Sequence, residues 1–357
     1  MSKVAIISDT HWGVRGDSVA FLDMTKRFLD DVFFPTLIDR GIYDVVHLGD
    51  LVDKRKQISY LTAGRLRQDF LNPLQQGGFR TSVIAGNHDC SYKNTNRVNA
   101  LTELVDGNYP SMKCYIDPVE VNLCGYKTLL LPWICDENRE QSMRLIKESK
   151  ANACMGHLDI VGFEMYRGSV STHGESKELF DRFGAVLSGH FHHRSSDGTI
   201  TYVGSHGEFT WSDHDDPRGF HIFDLRTQEL EFIHNPYTMF KKVWYDDRDK
   251  TLDQVLDMDT TQVSGKFLKL IITSKTNPYW FDLLCEKLDK SSPLGMQIVE
   301  DHLNMNLEDE ENIVNEAEST LDIFKSHISQ FQYPNLNKPK LERLMTELYN
   351  QAVMVES

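Results

Sequence analysis

Five short motifs of the sequence concentrate histidine, aspartate and asparagine side chains directly after apolar runs. The residues that could do chemistry are Asp9, His11, Asp50, Asn87, His88, Asp89, His157, His190 and His192. This mixture of oxygen and imidazole donors suits borderline divalent ions such as manganese, iron or zinc. It is too rich in nitrogen for a calcium site or a magnesium-only site. Because Cys90 is the only cysteine within the motifs, a structural thiolate zinc site is not expected.

The spacing inside the motifs is compatible with shared metal ligation. In a D-x-H sequence at a strand end, residues i and i+2 face the same side, so Asp9 and His11 can bind one ion together. His190 and His192 either do the same or clamp two adjacent ions. A single histidine after an apolar run is more often a hydrogen-bonded core residue, but five such motifs in order favour a site. Glycines that permit a tight backbone path precede the polar residues at Gly49, Gly86, Gly156 and Gly189.

The elements that must position these motifs predict an α/β fold. Residues 3–8, 44–49 and 81–86 are apolar runs of strand length, and residues 18–40 carry apolar side chains near helical spacing. This rhythm predicts parallel strands, whose carboxyl ends form the sites of open α/β sheets. Later apolar runs, with little helix between them, favour a second, more antiparallel sheet facing the first. They are residues 114–123, 126–133, 153–157, 185–189, 200–204, 219–225 and 229–234.

The pattern changes near residues 237–245, and the rest of the chain is predicted to form two further parts. A small α+β unit is indicated by a strand at 267–273, a helix near 279–288 and a strand at 296–299. Apolar residues three or four apart then predict two amphipathic helices, at 313–331 and 341–352. The predicted domain boundaries are therefore 1–240, 241–305 and 306–357.

The ordered motifs D-x-H, G-D-x-x-D, G-N-H-D, G-H and G-H-x-H resemble those of the calcineurin-like metallophosphoesterase superfamily, over roughly residues 3–225. The resemblance implies two facing mixed β-sheets flanked by helices, and two divalent metal ions, with manganese expected. One ion would be held by Asp9, His11, Asp50 and His192, and the other by Asp50, Asn87, His157 and His190. His88 would act as a general acid or electrostatic stabiliser near the leaving oxygen, and Asp89 could orient it.

Three features resemble the SbcD-type nucleases within that superfamily. The loop 204–213 after the last motif is similar to the loop of those enzymes, and more than 110 residues follow the motif region. Basic residues follow the second and third motifs and could hold DNA phosphates, although a solvated helix face is the simpler interpretation. They are Lys54, Arg55, Lys56, Arg65, Arg67, Lys93 and Arg97. The sequence departs from some members at Asp53, where they carry histidine.

The resemblance assigns a role to each part of the chain. Residues 1–240 would be the nuclease domain, 241–305 a capping domain, and 306–357 a helical tail that binds an SbcC-type ATPase. The family also dimerises through helices after the second and third motifs. It implies an exonuclease on double-stranded DNA ends and an endonuclease on single strands or hairpins, in DNA repair or recombination, and the compact size suits a phage version. Packing of the tail helices on their own domain is the simpler alternative.

Composition bears on substrate and location. The 38 lysines and arginines against 53 aspartates and glutamates give a net charge of −15, which argues against strong DNA binding by the isolated chain. Nine of the acids lie within residues 300–322, away from the motifs. Six cysteines without a C-x-x-C pair, no signal-peptide core and no membrane span predict a cytoplasmic protein. The rival hypotheses are a phosphoesterase for nucleotides or phosphoproteins, and a non-catalytic scaffold.

Overall fold

The computed structural model describes residues 2–300 and 340–341, and residues 2–300 lie in one compact unit. The predicted tail helices at 313–331 and 341–352 fall outside the described residues, apart from Leu341. The strands are β1 (Lys3–Ile7), β2 (Asp44–His47), β3 (Arg80–Ile84), β4 (Met112–Tyr115), β5 (Val119–Leu123), β6 (Tyr126–Leu131), β7 (Ala153–His157), β8 (Glu164–Tyr166), β9 (Ser169–Val170), β10 (Ala185–Gly189), β11 (Ser195–Ser196), β12 (Ile200–Tyr202), β13 (Gly219–Asp224), β14 (Leu230–His234), β15 (Phe240–Asp246), β16 (Phe267–Ser274) and β17 (Gly295–Glu300).

Helices pack on the outer faces of the sheets. They are α1 (Val14–Asp17), α2 (Val19–Phe28), α3 (Phe34–Asp39), α4 (Tyr60–Leu66), α5 (Asn72–Gln76), α6 (Ala100–Leu104), α7 (Arg139–Glu148), α8 (Leu252–Leu256) and α9 (Pro278–Lys290). Short π-helical turns join α2 to α3 and α4 to α5. No helix in the described part of the chain is long and apolar enough to cross a membrane.

Two six-stranded mixed sheets form the body of the fold, as predicted. The first has the order β14-β13-β1-β2-β3-β4, and the second has the order β11-β12-β10-β7-β6-β5. The expectation of a more antiparallel second sheet was wrong, because β12, β10, β7 and β6 are all parallel. Helix α7 and the irregular segments around β8 and β9 supply the crossovers that parallel strands need. In each sheet, antiparallel pairs occur only towards an edge.

One predicted strand is divided between the two sheets. The apolar run at 114–123 contains Asp117 and Pro118, and proline cannot donate to a ladder. As a result β4 pairs with β3 in the first sheet, and β5 pairs with β6 in the second. The segment therefore carries the chain from one layer to the other.

Alternating side chains give each sheet two buried faces. Val4, Ile6 and Val46 of the first sheet meet Met155 and Leu187 of the second in a core between the layers. The opposite face of the first sheet packs on α2 to α5, and that of the second packs on α7 and its neighbours. Packing on both faces fixes the strand ends, and hence the backbone from which the five motifs project.

The small module, defined here as residues 240–300, has a core of its own. Its parallel sheet has the order β15-β16-β17, and Leu268, Leu270 and Ile272 pack against Phe281 and Leu284 of α9. The other side of the sheet reaches the larger part of the fold at one end. There Phe240 and Phe267 contact Phe21 of α2 at ring-centroid distances of 6.1 and 5.7 Å.

Candidate metal centre

The strand ends bring the predicted residues to one place. Asp9, Asp50 and Asn87 follow β1, β2 and β3, which are neighbours in the first sheet. His157 ends β7, and His190 follows its neighbour β10 in the second sheet. Carboxyl ends of parallel strands meet at one edge of a sheet, and here the two facing sheets contribute the same edge.

Asp9, His11 and His192 form the first group of donors. Their ligand atoms all lie within 4.8 Å of one another. The two imidazoles meet closely, with 3.0 Å between Nε2 of His11 and Nε2 of His192. The backbone N–H of His190 donates to the Asp9 carboxylate at 3.0 and 3.2 Å and so holds it in place. This arrangement of one carboxylate and two imidazoles is suited to a divalent ion.

Asp50, His157 and His190 form the second group, again within 4.8 Å of one another. His157 Nε2 lies 3.3 Å from Asp50 Oδ2 and 2.8 Å from the side-chain oxygen of Asn87. Asp50 Oδ2 is also 3.7 Å from His11 Nε2 in the first group. The Asp50 carboxylate therefore lies between the two groups, where it can contact an ion in either.

The charges of the centre favour a cation. Burial opposes a charge on Asp50, but His157 and His88 outweigh it and hold the pKa of the Asp50 carboxyl well below its usual range. Burial likewise disfavours charge on His157, yet Asp50 raises its pKa to about 9. Burial, reinforced by His157, lowers the pKa of His190 to about 3. The buried Asp50 carboxylate and the neutral His190 imidazole are in the donor state that metal binding requires, and a bound ion would displace the proton of His157, so the residues fit divalent ions.

Backbone strain is concentrated at the same residues. Asp9, His11, Asp50 and His190 all have positive φ, at 50°, 41°, 53° and 88°. Each such residue costs roughly 1–3 kcal/mol and persists only where the surrounding structure imposes it. The strained backbone turns these side chains inward from the strand ends.

The backbone of the loop after β3 passes close to Asp50, which explains the glycine at position 86. A Cβ at Gly86 would collide with the carboxylate and the backbone nitrogen of Asp50. Only glycine lets the loop after β3 pass this near to the loop after β2. Gly86 therefore sets the distance between the second and third motifs.

His88 lies beside the first group and is held by the second motif. Its Nδ1 is 2.5 Å from the Asp53 carbonyl, and its backbone N–H donates to Asp50 Oδ1 at 2.7 Å. The His88 ring is 4.8 Å from that of His11. Donation from Nδ1 leaves Nε2 as the nitrogen available to a substrate.

The Asp89 side chain contacts backbone N–H groups of the neighbouring loops. Its carboxylate accepts hydrogen bonds from the backbone N–H groups of Val52 and Gly86, at 3.1 and 2.9 Å. Burial and the Asp50 charge raise the pKa of Asp89 to about 7. The side chain thus links the loops of the second and third motifs, while the His88 ring is contacted by Asp53.

Three supporting residues were not predicted. Buried Arg218 donates to the backbone carbonyl of the candidate ligand His192 and lies 2.8 Å from Asp213 and 2.7 Å from Asp216. The Asp53 carboxylate lies 3.5 Å from His11 Nδ1. Trp133 packs 5.1 Å from the His190 ring, and its position just after β6 was a signal that could have identified it.

The basic residues predicted to contact DNA differ in their surroundings. Lys54 pairs with Asp17 at 3.2 Å, Arg65 with Asp23 and Asp69, and Arg97 with Asp117 and Glu137. The remaining four take part in no ion pair within the residues described: Arg55, Lys56, Arg67 and Lys93. Lys56, Arg67 and Lys93 are also exposed, so their charges are the most accessible of the set.

Both the fold and the paired ligand groups are those of a phosphoester-hydrolysing metalloenzyme. The family model for calcineurin-like phosphoesterases matches residues 2–194, and the chain belongs to this family. The family uses divalent metal ions, which agrees with the carboxylate and imidazole groups at the strand ends.

The chain is also similar to individual proteins of known name or structure. The chain is 34% identical over 247 residues to exonuclease subunit 1 of Enterobacteria phage T4, covering 68% of this chain and 70% of that protein. It is 33% identical over 95 residues to the SbcD component of the nuclease SbcCD of Staphylococcus saprophyticus, covering 24% of this chain and 25% of that protein. Among solved structures, it matches an archaeal phosphodiesterase with 14% identity and a TM-score of 0.33, over 65% of this chain and 99% of the other.

Proposed function

We propose that this protein is a two-metal, manganese-dependent DNA phosphodiesterase. It would act as an exonuclease on double-stranded DNA ends and as an endonuclease on single strands or hairpins. The observation that carries the reaction is the pair of buried donor groups that meet at Asp50. The choice of DNA as substrate is supported by the names of the two nuclease relatives.

In this proposal, Asp9, His11, Asp50 and His192 hold one ion, and Asp50, Asn87, His157 and His190 hold the other. Two such ions lower the pKa of a water molecule and stabilise charge on the attacking and leaving oxygens of a phosphodiester. His88 acts beside them as a proton donor or electrostatic stabiliser for the leaving oxygen. Its Nδ1 contact with the Asp53 carbonyl supports this role, because it fixes the ring and leaves Nε2 for the substrate.

DNA is proposed to approach past the basic residues that follow the second and third motifs. Lys56, Arg67 and Lys93 have exposed charges that can neutralise phosphates. Lys54, Arg65 and Arg97 would first have to exchange their carboxylate partners, so we expect them to contribute less.

We propose that the nuclease works as a homodimer with an SbcC-type ATPase, in DNA repair or recombination in the cytoplasm. Exposed apolar side chains after the second and third motifs support a dimer surface, with Tyr60 99% and Val98 52% exposed. The division at residues 1–240, 241–305 and 306–357 is retained as part of the proposal. The separate core of the small module supports its first boundary, and the tail that would bind the ATPase lies outside the described residues.

The first test replaces a residue that both donor groups share. Asp50→Asn keeps the side-chain size but removes the charge, so cleavage of a DNA hairpin in manganese should fall by at least a hundredfold while urea unfolding shows that the protein is still folded. Asp181→Asn, at an exposed aspartate outside the site, is the matched control. Full activity of a folded Asp50→Asn protein would exclude the two-metal proposal.

A second test separates metal binding from proton transfer. His88→Leu should bind manganese in calorimetry with unchanged affinity and lose turnover by about 10²- to 10⁴-fold, the range for a general acid. Equal loss of manganese binding would mean that His88 is a ligand. Comparing the DNA hairpin with an aryl phosphodiester, a nucleotide and a phosphopeptide would identify a non-DNA phosphoesterase, and no metal-dependent hydrolysis at all would indicate a scaffold.

A further inference from the structure

One face of the sheet in the small module carries a tryptophan and two lysines in adjacent positions. In the register of the sheet, Lys242 lies beside Lys269, and Trp244 lies beside Ile271. Because side chains alternate along strands, these residues share the face opposite to α9. We call Lys242, Trp244 and Lys269 the cap face.

Trp244 is unusual for its exposure. Its side chain is 55% exposed, whereas the other four tryptophans, all within the described part of the chain, are buried or half-buried. Exposure of an indole ring costs free energy unless a ligand covers it, because an aromatic side chain buries a large apolar area. The ring therefore offers a flat apolar surface on the sheet.

Two lysines share the face of this ring in a protein whose net charge is −15. Burial, together with Lys242, lowers the pKa of Lys269 to about 8. Burial lowers the pKa of the adjacent His214, and Lys242, Lys241 and Arg167 add to this effect, although Asp215 opposes it. Lys241 and Lys242 form no ion pair with any residue that the structure describes. The local field thus favours an anionic ligand, against the charge of the whole chain.

Buried side-chain contacts connect the cap face to the metal centre. The Lys269 ammonium lies 4.5 Å from the ring of Trp211, in the loop after β12. Two residues earlier in that loop, Phe209 packs 5.8 Å from the rings of both His11 and His192. Because Lys269 and Phe209 are buried, these contacts pack the small module against the loop that contacts the candidate ligands.

We propose that the cap face binds single-stranded DNA, with a base stacked on Trp244 and an adjoining phosphate beside Lys242. This inference rests on the proposed nuclease function and adds a binding site for one strand on the small module. Stacking on an exposed ring requires an unpaired base, and a flanking lysine attracts the backbone, so a single strand fits better than a duplex. Lys269 is buried against Trp211 on the same face, so it contributes positive potential without contacting the strand.

The test measures binding without turnover. The full-length protein in EDTA is titrated with a thymidine oligonucleotide while its tryptophan fluorescence is recorded. We expect quenching by the oligonucleotide, and Trp244→Ala should weaken binding roughly 5- to 150-fold, the range for one base–aromatic stack. Lys242→Glu should also weaken binding and reduce the dependence on salt by about 0.7 in the logarithmic slope for one phosphate contact.

Matched controls lie on the helical side of the small module. Tyr279→Ala removes an exposed aromatic ring and Lys290→Glu reverses an exposed charge, and both should bind the oligonucleotide as the wild type does. An abasic strand of equal length should bind more weakly than the thymidine strand. Absence of quenching, equal binding of the abasic strand, or an unchanged affinity of a folded Trp244→Ala protein would each overturn the proposal.

Failure of the proposed nuclease function can be distinguished experimentally from failure of the cap-face proposal. If the wild type hydrolyses neither DNA nor an aryl phosphodiester in manganese, the nuclease proposal fails. If it cleaves DNA and Trp244→Ala has the same binding and the same cleavage rate, only the cap-face proposal fails. Trp244→Ala should retain hydrolysis of the aryl phosphodiester, because that substrate has no strand to bind.

Discussion

The Glu208 carboxyl joins the loop beside the metal centre to the first strand of the small module, and its protonation should set a pH-dependent part of the stability. The side chain is 2% exposed, and Oε2 accepts hydrogen bonds from the backbone N–H groups of Met239 and Phe240, at 2.7 and 3.0 Å. Burial raises the pKa of Glu208 to about 7 in spite of these bonds. A rise from the ordinary value of 4.5 corresponds to at most about 3 kcal/mol of free energy.

The direction of the pH dependence follows from whether the folded or the unfolded protein binds the Glu208 proton more tightly. The folded protein does so, because its pKa for Glu208 lies above that of the unfolded chain. The contribution of Glu208 to stability is therefore fully present below about pH 4.5 and is lost as the pH rises to about 7. Glutamine can accept the same two hydrogen bonds without becoming charged. We predict that Glu208→Gln removes this loss of stability. Between pH 4.5 and pH 8 its free energy of unfolding should come to exceed that of the wild type by up to about 3 kcal/mol.

The assay is urea unfolding of both metal-free proteins between pH 4.5 and 8, followed by fluorescence. Because both proteins retain every candidate metal ligand, the titrations of those residues cancel in the difference. Glu103→Gln, at an exposed glutamate in α6, removes the same formal charge and should parallel the wild type. Parallel curves for Glu208→Gln and the wild type would refute the reasoning, since they would show that the Glu208 carboxyl is not held neutral by burial.

Three further predictions concern residues that hold the ligands in place. Arg218→Met should lower the free energy of unfolding by about 3–5 kcal/mol in urea, because it leaves the buried Asp213 carboxylate without its cation and Asp216 with His193 alone. A loss below about 1 kcal/mol, on the order of a surface pair, would contradict this. Gly86→Ala should abolish manganese binding in calorimetry, because its Cβ collides with Asp50, and normal affinity would disprove the steric argument. Asp53→Ala should weaken manganese affinity roughly 10- to 100-fold by removing a contact of His11, with an unchanged urea midpoint, and unaltered affinity would show that the contact is unimportant.

The parts of the centre that could be predicted from sequence are those with a local signal. Asp9, Asp50 and His157 each stand at the end of a short apolar run, so strand geometry places each of them at the carboxyl edge of its own sheet. The two facing mixed sheets were predicted correctly from the resemblance of the motifs to those of the metallophosphoesterases. The strand directions of the second sheet were not, because a short apolar run has no direction. Its crossovers are the irregular segments around β8 and β9 rather than a recognisable helix.

The supporting contacts could not be predicted because they join distant positions. Arg218 reaches the carbonyl of His192 across 26 residues, and the His88 ring contacts the Asp53 carbonyl across 35. The second contact is made by a backbone atom, so the identity of residue 53 carries no signal for it. Composition and spacing can identify metal-ligating side chains by their order along the chain. The orientation of each ligand depends on contacts from loops that are distant in sequence and meet only in the folded protein.

The net charge of −15 argues against DNA only if charge is spread evenly over the chain, and nine of the acids lie within residues 300–322. Ion pairs neutralise several predicted DNA contacts, including Lys54 and Arg97, while Lys56 and Lys93 remain exposed. Counterion release depends on the cations that actually meet phosphates, rather than on the total charge. We therefore expect binding by the isolated chain to be weak and strongly salt-dependent, so that a partner able to hold DNA would contribute most of the affinity.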